Sequence, residues 1–287
     1  MAQAETDLKP GTVHRPHSRV ERPRGVEWIL IAIVIIYMGF LLLGPLLAIA
    51  SGALSSGLVA MFKALTSREA LSALSLTLLL ATAATLINTV FGVCIALVLA
   101  RDNFKGRRII NGLIDLPFAV SPVIAGFMLI LLFGRNGWLT SVIDPLNIRV
   151  VFALPGMLMA TIFVSLPFVV REVTPVLRHL SEDQENVAYT MGAGHWQTFW
   201  HITLPNIRWG LLYGVLLTFA RAIGEFGAVL VVGGGVTLST ETSTLYIYRA
   251  LDDRNEVGAN TMALALAAIS FTLLIVMEYS RKHSKED

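Results

Sequence analysis

Residues 185–205 read ENVAYTMGAGHWQTFWHITLP. This mostly polar stretch lies between two apolar runs, near 150–170 and 209–232, each long enough to cross a bilayer, which takes about 20 residues. Within it Val187, Ala188, Met191 and Gly192 recur at helical spacing. A loop in water gains nothing by exposing such residues, whereas a partner's groove would bury them as one face of a docked helix. Gly192 lets the chain turn sharply and lets a partner backbone approach. Leu204-Pro205 is expected to end the helical run, because proline restricts the residue before it.

Working outward, the chain of 287 residues is 55% hydrophobic and 15% charged, against about 25% charged in a soluble domain. Six apolar stretches reach spanning length, near 28–50, 71–100, 109–133, 150–170, 209–232 and 259–279. A chain that crosses lipid satisfies its backbone inside helices, so the expected fold is all-α and integral to the membrane. The first stretch follows a basic tail, but it is longer than the roughly 7–15 residues of a signal-peptide core and reads as a retained anchor.

Charge orients the spans. Fifteen lysines and arginines fall in the tail before Trp28, the 101–108 connection, the 171–208 connection (Arg171, Arg178, Arg208) and the C-terminus. Six fall in the other three connections. Basic residues concentrate on the cytoplasmic side, which places both termini and the 171–208 loop there. The expected organisation is a cytoplasmic tail over 1–27, a six-helix membrane domain over 28–279 with the loop 181–205, and a cytoplasmic tail over 280–287. Cys94 reads as a small packing residue. Between the last two spans, 244–251 (TLYIYRAL) reads as a short amphipathic helix.

Two intramembrane motifs carry chemistry. ARAIGEFGA, 220–228, holds Arg221 and Glu225 four residues apart on one helical face. Each charge costs about 2.5–3.5 kcal/mol at mid-bilayer, so the pair needs a protein-lined or wet environment. Gly224 and Gly227 let a neighbouring helix come close. The pair reads either as path-lining, with Arg221 attracting an anion, or as a structural ion pair. DLPFAVSPVIAG, 115–126, holds Pro117 and Pro122, which free carbonyls and bend a helix. Counted from the inner ends of their spans, Ser121 and Arg221 lie at the same depth. A broken helix at mid-membrane is a usual place for a transport path; an ordinary proline kink is the other reading.

These motifs together resemble the permease subunits of ATP-binding-cassette importers. In that family the cytoplasmic coupling loop reads Glu-Ala-Ala, Gly six residues after the Glu, nine residues, then Ile-x-Leu-Pro. Gly192 and Ile202-Thr203-Leu204-Pro205 match; Asn186 and Val187 stand where the family has Glu and the first Ala, and Ala188 keeps the second. ARAIGEFGA is similar to a stretch of sulfate and molybdate permeases. With DLPFAVSPVIAG and LPNIRWGLLYG, 204–214, the chain looks most like W-type (CysW) subunits of sulfate/thiosulfate importers over 28–279.

The resemblance implies a type I, MetI-like or ModB-like, six-helix fold. It implies an ATPase-docking loop built of Glu185, Asn186, Val187, Ala188, Met191, Gly192, Ala193, Ile202, Leu204 and Pro205. Candidates for the translocation path or gate are Arg221, Glu225, Pro117, Ser121 and Pro122. Implied partners are a homologous CysT-type permease subunit, an ATPase dimer, a periplasmic sulfate/thiosulfate-binding protein and the lipid of a bacterial inner membrane, with no nucleic acid. ATP and magnesium belong to the ATPase, and no cofactor or metal to this chain.

The sequence has no G-x-x-x-x-G-K-[ST] phosphate loop. All six histidines lie outside the apolar stretches, so no intramembrane serine has a histidine base at its depth. An enzyme is therefore not expected. The competing readings are a molybdate or tungstate permease, and a secondary anion transporter that works without an ATPase.

Overall fold

The computed structural model describes residues 25–283, so the tail readings of 1–24 and 284–287 concern residues outside the described range. The chain divides into two units, Met1–Leu46 and Leu47–Asp287. Helix α1, Gly25–Leu54, crosses that division and contains Pro45. In its first unit the large apolar side chains from Trp28 to Leu43 are exposed, as suits a span whose solvent is lipid.

The second unit is built of helices among its described residues. In order they are α2 (Leu58–Leu65), α3 (Arg68–Arg101), α4 (Arg107–Ala119), α5 (Pro122–Phe133), α6 (Thr140–Ile143), α7 (Leu154–His179), α8 (Asp183–Thr190), α9 (His195–Thr198), α10 (Leu204–Ile223), α11 (Gly227–Gly233), α12 (Ser243–Asp252) and α13 (Glu256–His283). A π turn, Phe199–Thr203, joins α9 to α10. The short amphipathic helix expected at 244–251 is α12.

Six apolar stretches resolve into four unbroken candidate spans (α1, α3, α7, α13) and two broken ones. The α4–α5 pair bends by 111° and the α10–α11 pair by 55°. The first break falls at Val120-Ser121, just before Pro122, which opens α5. Pro117 does not break the chain: it lies buried inside α4, which continues to Ala119. The second break, Gly224–Phe226, is one that sequence reasoning missed, having read its glycines as close-approach positions only. Helix α7 extends to His179, so Arg171 sits within the helix and not in the loop where charge counting put it.

Helix α7 is central, with α3, α10, α11, α4 and α5 packed around it. The packing face of α3 is a stripe of small residues: Ala73, Ala81, Ala84, Gly92 and Ala96 are buried. Small residues let helices close up where lipid gives no hydrophobic drive between them. At Gly92 a Cβ would come within 2.8 Å of Val169 on α7. The stripe also buries Asn88, whose Nδ2 donates to the Ile162 carbonyl at 3.1 Å and Ser165 Oγ at 2.9 Å. The opposite face of α3 exposes Leu79, Leu86, Val90 and Phe91. Ser67 caps the helix, accepting the Ala70 N–H at 3.2 Å, a contact worth about 1 kcal/mol.

Candidate functional site: an exposed loop and two facing helix breaks

Helix α8 ends in a Schellman turn. Gly192 adopts φ +88; its N–H donates to the Tyr189 carbonyl and that of Ala193 to the Ala188 carbonyl, both at 3.0 Å. A glycine reaches this left-handed conformation without steric cost. No atom lies within 4 Å of where a Gly192 Cβ would stand, so the turn points into open space. Beside it Val187 is 56% and Met191 80% exposed. They lie four residues apart and share a face, which Asn186 adjoins, itself exposed.

The other loop candidates divide differently. Ala188 is buried within the chain. Leu204 packs against the cluster of Val93, Val169, Val173 and Ile207. Ala193 and Ile202 are half-buried and Pro205 is exposed. Glu185 does not stand in for the missing carboxylate at 186. One residue turns a helix by about 100°, and Glu185 faces inward, held by Arg101 Nη2 at 3.0 Å and Thr203 Oγ1 at 2.9 Å. Sequence reasoning also missed Trp196 and Trp200, 74% and 57% exposed; their spacing of four was the available signal.

Leu204-Pro205 does not end the helical run. Pro205 follows directly on the π turn in a helical run that continues from His195 to Ile223, so its missing N–H falls inside the run. Proline also crowds the carbonyl four residues earlier. The chain accommodates this by widening: the Leu204 N–H donates to the Phe199 carbonyl, five residues back.

The two breaks face each other. A Cβ on Gly227 would stand 3.3 Å from Pro122 Cβ and 3.1 Å from Val123 Cγ2. One on Gly126 would lie 2.7 Å from the Ala228 carbonyl oxygen. Helices α5 and α11 therefore touch nearly backbone to backbone just past their breaks. At the α10–α11 break Arg221 Nη1 lies 2.8 Å from Glu225 Oε2, with the arginine side chain 30% and the glutamate 3% exposed. Glu225 does more than pair. Its Oε1 accepts the Ala228 N–H at 2.9 Å, satisfying a free donor in the first turn of α11. Its carbonyl accepts the Thr244 hydroxyl at 2.7 Å. Of the path candidates, Pro122, Arg221 and Glu225 thus lie at or beside the juxtaposed breaks. Ser121 is exposed at the first break, and Pro117 is buried one turn before it.

Helix α12 closes over this region. Thr77 of α3 accepts the Ser243 N–H at 2.8 Å. Arg249 reaches buried Glu241 through Nε at 2.5 Å and Nη2 at 3.2 Å, and Glu69 at 2.7 Å. The hydrogen bonds to Glu241 above all push the arginine pKa up further, so this cation stays charged. Among the described residues no cluster of three or more histidine, cysteine or acidic side chains is placed to hold a metal ion.

Comparison with known proteins agrees with this architecture. The chain is 46% identical over 263 residues to the sulfate transport system permease protein CysW of Synechocystis sp., covering 91% of this chain and 95% of that protein. It is 43% identical to the CysW protein of Escherichia coli strain K12, covering 87% and 86%. It is 31% identical to the sulfate transport system permease protein CysT of Synechocystis sp., covering 91% and 92%. Its fold matches a chain from the crystal structure of a bacterial alginate ABC transporter in complex with an alginate pentasaccharide-bound periplasmic protein. That match has a TM-score of 0.74 at 18% identity and covers 91% and 96% of the two chains. Residues 88–285, which include the 181–205 loop and both breaks, match the binding-protein-dependent transport system inner membrane component family, and the chain belongs to that family.

Proposed function

We propose that this chain is a permease subunit of an ATP-driven importer that carries sulfate or thiosulfate across a bacterial inner membrane. The observation that carries the reading is the 46% identity to a CysW protein along 91% of the chain. The assembly pairs this subunit with a CysT-type permease, two ATPase subunits that hold ATP and magnesium, and a periplasmic binding protein. Both termini and the 181–205 loop lie in the cytoplasm, as positive-inside counting requires.

The exposed face of Asn186, Val187, Met191 and Gly192 docks into an ATPase groove. Closure of the ATPases moves that loop and rocks the helices about the facing breaks, in the alternating-access manner. Arg221, in the last turn of α10 just before the Gly224–Phe226 break, supplies positive potential to the passing anion. Glu225 holds the arginine in place while satisfying α11.

The test is the reconstituted complex of the four kinds of subunit in proteoliposomes. The expected result is sulfate uptake that requires ATP and the binding protein. Uptake by this chain with no ATPase would refute the reading in favour of a secondary transporter. Uptake of molybdate but not sulfate would refute the substrate.

A further inference from the structure

Helix α8 is the element offered to a partner, yet it is weakly packed. Ala188 is the buried residue of its eight. A helix attached by so little apolar surface needs another means of moving its neighbours when pushed. The structure provides one at a single carboxylate oxygen. Glu185 Oε1 accepts Arg101 Nη2 at 3.0 Å and Thr203 Oγ1 at 2.9 Å. Arg101 is the last residue of α3 and also donates through Nη1 to the Leu180 carbonyl at 3.2 Å. Thr203 is the last residue of the π turn that leads into α10.

The arginine and glutamate side chains are 18% and 16% exposed and Thr203 is 4% exposed. Charge-assisted bonds sheltered to this degree are stronger than surface pairs and tie geometry more tightly. A second arginine contact, Nη1 to Glu182 Oε1 at 3.5 Å, comes from the residue just before α8.

We propose that Arg101, Glu185 and Thr203 form a transmission latch that makes the end of α3, the docking helix α8 and the start of α10 move as one body. A displacement of α8 then reaches α3 through the ion pair and α10 through the threonine hydroxyl. These are positioning residues, and they touch neither ATP nor the transported anion. The proposal rests on the reading of this chain as an ATPase-driven permease.

The test uses the reconstituted complex with Arg101→Gln, Thr203→Val and the double variant Arg101→Gln/Glu185→Gln. Three quantities are read: ATPase retained on purification, ATP hydrolysed, and sulfate imported per ATP. The expected result is that Arg101→Gln and Thr203→Val retain the ATPase and hydrolyse ATP while sulfate per ATP falls about tenfold, within the usual range of coupling between sites. The double variant should be no worse than Arg101→Gln, because the pair acts as a unit. A merely structural pair would lower the yield of complex and leave sulfate per ATP unchanged in what remains; that result overturns the latch. Where Arg101→Gln fails to assemble, Thr203→Val decides, since valine keeps the shape and loses only the hydroxyl; an unchanged ratio there overturns the latch as well. Uptake by the unsubstituted chain without ATPase overturns both latch and permease reading, whereas the other failures leave the permease reading standing.

Discussion

Neutralising one member of the Arg221–Glu225 pair at a time should give unequal damage, and the order follows from burial. Arg221→Met leaves the Glu225 carboxylate at 3% exposure with the Ala228 N–H as its remaining donor. Removing one partner from a buried pair costs about 3–5 kcal/mol, because the stranded charge has no water to retreat to. Glu225→Gln strands an arginine that is 30% exposed and can turn its guanidinium outward. It also keeps an amide oxygen where Oε1 accepts the Ala228 N–H. Its cost should be about 1 kcal/mol, that of one weakened charged hydrogen bond. The double change Arg221→Met/Glu225→Gln removes both charges, keeps the helix contact and should recover most of the loss. The assay is thermal unfolding of the four purified proteins in one detergent, followed by size-exclusion fluorescence. Expected stability runs wild type, then Glu225→Gln and the double variant, then Arg221→Met well below. If Glu225→Gln were the least stable, or the double variant no better than Arg221→Met, the buried carboxylate would not govern this break. Sulfate flux separates the remaining question: a stable double variant with lost uptake supports Arg221 in the path, and full uptake leaves the pair structural.

Gly126→Ile should destabilise the protein by about 1–3 kcal/mol through overpacking, because its Cβ would meet the Ala228 carbonyl at 2.7 Å; an unchanged unfolding temperature would refute backbone contact between α5 and α11. Arg249→Met should strand Glu241, whose side chain is 2% exposed, and cost more than Glu69→Gln, whose side chain is 48% exposed; equal unfolding temperatures would count against that ranking. Gly192→Asp should leave membrane insertion intact, since no atom lies near its Cβ position, yet strain the φ +88 turn and abolish ATPase retention and uptake. Normal uptake would sink the docking face. An alkaline phosphatase fusion near Asn136 should be active and one after His283 inactive, and the reverse would refute the orientation.

The six apolar stretches were legible because lipid demands about 20 apolar residues whatever their neighbours. The bend before Pro122 was legible because it is a local property of proline. Facing within the loop was not. Whether Glu185 or Asn186 points outward depends on where Arg101 and Thr203 lie, and both are remote in sequence. Ala188 looked like its neighbours Val187 and Met191 in composition, yet it points the other way. The break at Gly224–Phe226 was hidden because its stabilisation comes from Glu225 capping α11 and from Thr244, nineteen residues on. Pro205 misled because a helix can take up a proline by widening the turn before it, and the π turn that does so here leaves no compositional trace.

That π turn sets a phase. By spending one residue more than an α turn, Phe199–Thr203 offsets the face carrying Trp196 and Trp200 from the faces of α10 by about 100°. Deleting Ile202 from this segment would restore α-helical register and swing the preceding loop segment around the axis of α10, although neither Trp196 nor Trp200 had changed. The length of this connection is therefore as much a specification as its chemistry. Single-residue insertions or deletions should be far more damaging at 199–203 than in the outer connection 134–149, which reaches α7 through turns that can absorb a change in length rather than through a continuous helix.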